Sequence, residues 1–530
     1  MSVWLRLSAV TLTAALGLAP GVAAAAPAPV RGFTAAPRVL KLYDAILDGQ
    51  FTEVPRLLRD TCATTTPPPG GPISAPVAPP EACQVLEAIA LWWQIQIDPF
   101  NPRLDGAFTA KVDAAIAAAD AWAAREPQRA EAWFYAGGAY GARVQWRVLR
   151  GERIAAARDG KRIKDALEHA LAIDPGLQDA WFGIGLYHYY ADIAPTAAKM
   201  LRWLLLLPGG DRVQGMKEML KARDAGTLVR SEVDYQLHVL YLWYEKRPDR
   251  AIELLRDLQK RHPANPHFPQ LIAETQDHYQ HDETASLRTW RALYDLARGT
   301  TLNQAPLALT VSRLGLAQQL DRLAETDVAI EHLRAVIASK PTAPYGAVAQ
   351  AGLQLGQALD HMGQRSEAVA AYRAALLAVP PGDPLKLTLR LKSGLDRVPD
   401  ARITEAHRLS VEGLRALERG DLPGANRALT RATSLDPDNI VARYRQARVR
   451  LAEKRESDAL TLLDAIARTR ITTAPSTLAA ACLDAARLHE TRGARARAIE
   501  LYRQTQQIFG ADAQTVADAK RALARLESAR

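Results

Sequence analysis

The sequence predicts an all-α protein, a solenoid of helical hairpins with an enlarged, aromatic-rich central unit and a C-terminal capping helix. Three observations predict this class. Alanine and leucine are abundant, and no run of alternating polarity is long enough for a convincing strand. Small residues recur with a period of about 34 residues, with large residues at fixed offsets from them. Finally, 530 residues are too many for one compact core, whereas each repeat of a solenoid packs only on its neighbours.

The first 25 residues are organised like a signal peptide. Arg6 supplies the basic region, an apolar run extends from Leu7 to Leu18, and small residues follow at Val22 to Ala26. An uncleaved anchor is disfavoured because the run is shorter than the roughly 20 residues that span a bilayer. We expect cleavage after Ala24 or Ala25 and an exported mature chain, periplasmic if the source is a Gram-negative bacterium.

Residues 37–62 are predicted to form a pair of short helices, and residues 63–82 a proline-rich loop. Cys62 and Cys83 flank this loop, and in an oxidising compartment a disulfide between them would stabilise the fold by about 3 kcal/mol. Pairings with the third cysteine, Cys482, stay open on the sequence alone. Cys482 falls where a small apolar residue packs on a repeat's first helix, which favours a buried, inert thiol.

Residues 83–300 are predicted to be an irregular, aromatic-rich helical region. A hairpin begins at Ala130, and its second helix is predicted over Lys161 to Ile173, so the long connection before it is assigned to an extension of the first helix. The central unit follows from Asp179. An apolar segment, Ala194 to Leu207, interrupts its repeat pattern.

Regular repeats are predicted in residues 305–400 and 401–530, the latter ending in the capping helix. Small residues let the two helices of a hairpin approach, large residues fill the gap between them, and proline ends the second helix. Asp512 can N-cap the closing helix. The residues that define the pattern are Ala329, Leu333, Pro341, Gly356, Ala368, Tyr372, Pro380, Gly413, Ala425, Leu429, Pro437, Ala459, Ala498 and Tyr502.

This pattern resembles the tetratricopeptide-repeat (TPR) superfamily from about Ala130 to Ala529. Three central pieces, APTAAKMLRWLLLLPGGDRVQGMKEMLKA, DYQLHVLYLWYE and HPANPHFPQLIAE, are similar to the helical region of eukaryotic inclusion-body-clearance proteins, which are TPR proteins linked to lipid droplets. The first resemblance implies peptide binding on a concave surface. The second implies an interaction role and apolar ligands or surfaces, and it transfers no active residue.

The aromatic centre is the candidate binding site. The leading hypothesis is a non-catalytic scaffold that binds a protein or peptide in a groove. The alternative is a binding protein that encloses a small or lipidic ligand around Tyr187 to Trp203. The predicted groove residues are Tyr187, His188, Tyr190, Asp192, Asp234, Tyr235, His238 and Tyr241.

The segment Ala194 to Leu207 allows two interpretations. It is too short to span a membrane. It is either a helix packed inside the central unit, which we favour, or an interfacial helix whose cations Lys199 and Arg202 reach the lipid surface. Contact with a membrane surface is therefore an open but less favoured expectation.

Other features argue against an enzyme, a metalloprotein or a nucleic-acid-binding protein. The net charge of +9 is spread among interspersed acids and bases. His278 and His281 lie one helical turn apart, but no third ligand has a matching spacing. The turn Pro208 to Arg212 is predicted to cap a helix through Asp211 rather than to bind an anion. Catalytic and nucleotide-binding motifs are absent, and we expect no cofactor.

Overall fold

The structure, a computed structural model, describes residues 28–62, 76–194, 209–299, 301–470 and 472–528. These residues form 24 α-helices and no strand, and their only bridge of β type joins Val30 to Arg129. The prediction of an all-α helical-hairpin solenoid is confirmed. Two short 3-10 helices, Pro102–Leu104 and Gln178–Ala180, precede α4 and α7. The α-helices are α1 (Ala36–Leu47), α2 (Val54–Cys62), α3 (Pro80–Ile97), α4 (Asp105–Arg125), α5 (Ala130–Leu149), α6 (Arg153–Ile173), α7 (Trp181–Ile193), α8 (Arg212–Ala225), α9 (Arg230–Trp243), α10 (Pro248–Arg261), α11 (His267–His278), α12 (Glu283–Arg298), α13 (Ala305–Arg322), α14 (Thr326–Ser339), α15 (Ala347–His361), α16 (Arg365–Leu377), α17 (Leu387–Asp396), α18 (Ala401–Glu418), α19 (Leu422–Leu435), α20 (Ile440–Ala452), α21 (Glu456–Ala467), α22 (Pro475–Thr491), α23 (Arg495–Gln507) and α24 (Ala513–Ser528).

Each hairpin packs a small residue of one helix against a large residue of the other. A Cβ at Gly137 of α5 would lie 2.9 Å from the Leu167 side chain of α6, and one at Gly413 of α18 would lie 2.5 Å from Leu429 of α19. Ala425, which lies on α19 of the second hairpin like Leu429, is fully buried. These are the close approaches that the sequence pattern predicts, and they fix the spacing within a hairpin.

Sharp turns between the two helices of a hairpin depend on glycine. Gly363, Gly420 and Gly493 each follow the first helix of a hairpin by two residues and have φ between 74° and 78°. This left-handed conformation strains any residue that carries a Cβ, and glycine adopts it freely. The second helix can therefore fold straight back on the first.

The array is wound tightly enough for successive turns to touch. Asn265 Nδ2 donates to Leu47 O over 2.6 Å, and Ala513 N donates to Asp282 Oδ2 over 2.9 Å. These pairs are separated by 218 and 231 residues along the chain. In the helix order α11 is the tenth helix after α1 and α24 is the twelfth after α12, so elements about five or six hairpins apart lie directly against each other.

A buried arginine joins several elements on the inner side of the C-terminal half. Arg445 of α20 donates to Ser410 Oγ and to Ala324 O, each over 2.9 Å, and to Leu323 O over 3.2 Å. Burial lowers the pKa of Arg445 to about 10. The cation remains charged at neutral pH and joins α18 and α20 to the turn between α13 and α14.

Several element boundaries differ from the prediction. The helix predicted over Lys161 to Ile173 begins at Arg153, and the first helix runs to Leu149, so the long connection extends both helices of the hairpin and not the first alone. Pro80, within the predicted proline-rich loop, already starts α3, because proline is well tolerated in the first turn. An unpredicted helix, α17, lies at the end of the first regular repeat block, residues 305–400. The predicted signal peptide, most of the loop and residues 195–207 of the apolar central segment lie outside the described residues.

The N-terminal segment is fastened to the array. A disulfide joins Cys62 of α2 to Cys83 of α3. Ahead of α1, the Phe33 ring packs edge-on to Phe134 of α5 with centroids 4.8 Å apart. The third cysteine, Cys482, is free and buried, and burial raises its pKa to about 12, as expected for an inert thiol.

Candidate binding surfaces

The predicted groove divides into a buried half and a surface half. Asp234, Tyr235 and His238 of α9 are all more than nine-tenths buried. They do not line an open groove, and this part of the prediction is wrong. Eight consecutive residues of α9, 231–238, are buried, which means that the helix is covered on every side.

The chain's own N-terminal helices cover α9. Tyr43 of α1 and Trp93 of α3 both donate to Glu232 Oε2, over 3.0 Å and 3.2 Å. The Trp93 ring also lies 4.9 Å from the ring of Tyr235, centroid to centroid. The inner face that a partner was predicted to occupy is thus filled by α1 and α3.

The buried polar groups in this region serve the packing. Burial raises the pKa of Glu232 despite the hydrogen bonds from Tyr43 and Trp93 that favour the carboxylate. Asp234 forms ion pairs with Arg223 and Arg261, the former over 2.6 Å, which join α8, α9 and α10. These carboxylates already have partners within the fold, so they are not free to bind a ligand.

Three histidines on or next to α9 are kept neutral by burial. Burial lowers the pKa of His238 to about 3 and the pKa values of His262 and His267 to about 4. His262 Nε2 lies 2.9 Å from Ser231 Oγ, and His267 Nε2 lies 3.3 Å from the hydroxyl of Tyr235. At neutral pH these three imidazole rings are therefore uncharged.

The α7 residues of the predicted groove lie closer to the surface. His188 Nδ1 is 2.8 Å from Glu218 Oε2 of α8, and Asp192 Oδ2 accepts from Arg212 N over 3.3 Å. Tyr187 is half-buried and lies near Gly160 of α6. Tyr190 is exposed.

The rest of the predicted set lies on or near the same surface edge. Tyr241 is half-buried against the hydrophobic core, while Tyr244, one helical turn later at the end of α9, is exposed. The rings of Tyr190 and Tyr244 are 5.8 Å apart. The structure therefore brings Tyr190 to a small aromatic surface that the sequence analysis did not list in full.

The minor sequence features have structural roles. Asp211 caps α8 by accepting from Val213 N and Gln214 N over 2.9 Å and 3.0 Å, as predicted. His281 lies against Phe509, with ring centroids 5.2 Å apart. Across the described ranges, no group of three or more His, Cys, Asp or Glu side chains could hold a metal ion.

An open cleft lies between α22 and α24 at the C-terminal end of the array. It has a volume of about 620 Å³. Its polar lining is contributed by α22, by α24 and by Tyr502 of α23 between them. The residues that line it are Arg487, Glu490, Thr491, Tyr502, Asp518, Arg521, Ala522 and Arg525.

The acids of this cleft are held at its base and the arginines stand at its rim. Arg525 Nη2 donates to Glu490 Oε1 over 2.5 Å, and Tyr502 donates to Glu490 Oε2 over 2.7 Å. Arg487 pairs with Asp518 over 3.2 Å, and Arg521 pairs with the same carboxylate. Burial acts to raise the pKa of Glu490, but the hydrogen bonds from Tyr502 and Arg525 outweigh it and lower this pKa.

The sequence analysis missed this cleft, although the sequence contains a signal for it. Arg487 and Arg521 are 34 residues apart, which is one repeat period, and each lies on a helix that borders the cleft. A second, smaller cleft of about 400 Å³ lies between α14, α15 and α16. It is lined by small and aliphatic side chains such as Gly352, Leu355 and Ala374.

The fold defines a class of protein, the helical-hairpin solenoid with open surface clefts. Residues 416–470 match the family model described as "Tetratricopeptide repeat". The chain is therefore a helical-repeat protein, and the match to the tetratricopeptide repeat that the sequence predicts is found in this part of it. No curated protein matches the chain, so the resemblance to inclusion-body-clearance proteins stays a prediction.

Solved structures of helical-repeat proteins are similar to this chain at low identity. A tetratricopeptide repeat protein from Parabacteroides merdae is 13% identical, with 56% of this chain and 98% of that chain covered and a TM-score of 0.23. A Rap protein complexed with competence and sporulation factor is 12% identical, with coverages of 93% and 99% and a TM-score of 0.33. The TPR domain of P58(IPK) is 12% identical, with coverages of 84% and 98% and a TM-score of 0.22.

Proposed function

We propose that this chain is an exported, non-catalytic scaffold that binds a protein or peptide partner in the cleft between α22 and α24. The observation that carries the proposal is the convergence of Arg487, Arg521 and Arg525 on one open cleft of about 620 Å³. The central groove predicted from the sequence is filled by α1 and α3, so the proposed binding surface is displaced to the C-terminal end.

The cleft suits a polar extended segment. A guanidinium group has five N–H donors in a planar fork, and an ion pair with one carboxylate oxygen leaves several of them free. The side chains of Arg487, Arg521 and Arg525 are all more than half exposed, while Glu490 and Asp518 are about a quarter exposed. Free donors therefore face solvent above an acidic base, where the fully buried Tyr502 holds Glu490 in place through its hydroxyl group.

The position of the cleft also supports this function. It lies between α22 and α24. The helix α22 is the first helix of its hairpin, and so are α18 and α20, which line the interior of the array. Successive repeats of a solenoid create extended concave surfaces that bind partners. Arginine is moreover enriched at protein interfaces, where its planar group pairs with carboxylates and carbonyl oxygens.

Selection from a displayed random-peptide library would test the proposal. The mature chain is compared with an Arg521→Glu, Arg525→Glu variant and with Arg56→Glu, a control at an exposed ion pair on α2. We expect peptides that bind the mature chain and the control with equal affinity and the cleft variant at least about tenfold more weakly, since loss of charged interface contacts exceeds 1.4 kcal/mol. Equal binding to all three proteins would contradict the proposed site.

A further inference from the structure

Three arginines without acidic partners surround one tyrosine between α12, α13 and α14. Arg291, Tyr294 and Arg298 follow each other at intervals of three and four residues, so they share one face of α12. Arg313 of α13 reaches the same tyrosine. The guanidinium carbons of Arg298 and Arg313 lie 5.7 Å and 5.6 Å from the centroid of the Tyr294 ring. We call Arg291, Arg298 and Arg313 the arginine cluster.

Arg313 occupies a place that forms a cleft in the next hairpin. Arg313 and Gly352 each lie nine residues before the end of their helices, α13 and α15. They are 39 residues apart, as are the pattern residues Ala329 and Ala368, so they hold the same position in their repeats. Gly352 lines the cleft of about 400 Å³ between α14, α15 and α16. The Arg313 side chain therefore lies in the corresponding space one hairpin earlier.

The guanidinium group of Arg313 is partly desolvated and lacks an acceptor. Its side chain is half-buried, and its Nε atom is fully buried with no hydrogen-bond partner. In the part of the chain that the structure describes, the three arginines of the cluster form no ion pair and donate no side-chain hydrogen bond. Withdrawing a cation from water without an acceptor is costly. A bound anion would supply the acceptors that the fold does not.

The neighbouring carboxylates leave the arginines unpaired. Asp295 on α12 and Glu331 on α14 are both exposed. Neither of them takes part in an ion pair with any residue of the described ranges, so both are solvated. The three guanidinium groups outnumber these two carboxylates, and the partly buried one, that of Arg313, has no acid of its own.

A histidine beside the cluster experiences its positive charge. The ring of His332 on α14 lies 5.3 Å from the ring of Tyr294. Burial lowers the pKa of His332, Arg313 and Arg291 lower it further, and Glu331 opposes them. The arginines of α12 and α13 therefore act together on the space that His332 borders.

We propose that the arginine cluster binds a phosphate group. A phosphate dianion accepts from several guanidinium groups at once, and contacts between arginine and phosphate are short and frequently bidentate. Tyr294 attracts Arg298 and Arg313 to its ring, which orders both side chains before an anion arrives. This site belongs to other helices than the cleft between α22 and α24 and takes a different ligand.

Calorimetric titration with inorganic phosphate at low ionic strength would test the proposal. We expect saturable binding of one phosphate by the mature chain. Arg298→Gln, Arg313→Gln should weaken it by at least about tenfold, because charge-assisted hydrogen bonds are lost. Arg390→Gln, which removes an exposed arginine of α17, should bind phosphate like the parent chain. No saturable binding to the parent chain, or equal binding to parent and double variant, would overturn the proposal.

The His332 ring gives an independent readout of where the anion lies. A phosphate bound at the cluster offsets the charges of Arg291 and Arg313, so the pKa of His332 should rise when phosphate is present. Titration followed by NMR measures this, with the exposed His278 of α11 as a control that should not respond. An unchanged pKa of His332 in saturating phosphate would place the anion elsewhere and contradict the proposal.

Vesicles distinguish a soluble phosphate compound from a lipid headgroup. Across the described residues no helix is long and apolar enough to cross a bilayer, so flotation with phosphatidic acid vesicles would report a peripheral contact. Phosphate binding without flotation supports the proposal with a soluble ligand, and flotation lost in the double variant supports it with a headgroup. Flotation that the double variant retains, without phosphate binding, would overturn it.

A single variant protects the test against misfolding. If circular dichroism shows that Arg313→Gln disturbs the helices, Arg298→Gln alone, at an exposed position, should still weaken phosphate binding measurably. Arg298→Lys, which keeps the charge but lacks the planar fork, should restore part of the affinity. Parent-like binding by Arg298→Gln would remove this residue from the site and count against the proposal.

Discussion

Trp93 of α3 donates its indole N–H to Glu232 of α9 over 3.2 Å, although 139 residues separate them. Four hairpins begin at α3, α5, α7 and α9, so this bond crosses the interior of the array. It places an N-terminal helix on the face that a tetratricopeptide-repeat array commonly offers to a partner. The buried environment of α9 follows from this relationship.

Removal of the Trp93 side chain should destabilise the protein strongly. Trp93 is fully buried, and Trp93→Ala should lower the free energy of unfolding by about 3–5 kcal/mol because it leaves a cavity and removes one of the two hydrogen bonds to Glu232 Oε2. Trp243→Ala, on the surface, should change it by less than about 0.5 kcal/mol. Denaturant unfolding of both variants measures the difference, and equal effects would mean that α3 does not pack on α9.

Stability should fall in mild acid because of the buried histidines. Their pKa values in the folded state, about 3 for His238 and about 4 for His262 and His267, lie below the ordinary histidine pKa of about 6.5. The unfolded chain therefore binds protons first, and the stability present above pH 6.5 is lost as pH falls towards 4. The raised pKa of Glu232 acts in the opposite sense, because its folded form takes up a proton before the unfolded form does.

A single variant separates these contributions. In His267→Gln the slope of the unfolding free energy between pH 7 and pH 5 should become shallower, because the variant lacks one of the buried histidines that bind a proton more readily in the unfolded chain. His278→Gln, at an exposed position, serves as the control. An unchanged slope in His267→Gln would show that His267 is solvated in the folded protein.

Two glycines in helices should respond oppositely to alanine. At Gly413 a Cβ would lie 2.5 Å from Leu429, so Gly413→Ala should cost about 1–3 kcal/mol through overpacking. At Gly141 of α5 no atom lies within 4 Å of the added Cβ, so Gly141→Ala should stabilise by up to about 1 kcal/mol through helix propensity. Thermal unfolding gives the sign of both changes, and a stabilising Gly413→Ala would contradict the close hairpin packing.

These glycines show how far sequence reasoning reached. Gly413 packs against Leu429 within one hairpin, Ala425 shares a buried cluster with Leu429, and their spacing is a local property that periodicity reveals. The groove residues Asp234, Tyr235 and His238 could not be placed in the same way, because their partners come from α1 and α3, far away in the chain. The uncharged sequence after Asp234, YQLHVLYLWY, was the available sign of a helix buried all round.

The contact between successive turns can be weakened at one residue. The Asp282 carboxylate accepts from Ala285 N, which caps α12, and from Ala513 N at the start of α24. Asp282→Ala should cost about 1–2 kcal/mol and speed hydrogen exchange in the first turn of α24. Asp400→Ala removes a cap of α18 that has only local partners, and it should leave exchange in α24 unchanged. Slow exchange in α24 of the Asp282→Ala protein would show that the turns are held together by other contacts.

A double-mutant cycle between Tyr43 and Glu232 tests the occupied interior most directly. Tyr43 of α1 donates to Glu232 over 3.0 Å across 189 residues of sequence. Unfolding free energies of the parent chain, Tyr43→Phe, Glu232→Gln and the double variant give the coupling between the two side chains. We expect a coupling of about 1 kcal/mol or more, because the pair is buried and in direct contact. Additive effects, with no coupling, would show that α1 does not occupy the inner face and would return that face to the list of binding surfaces.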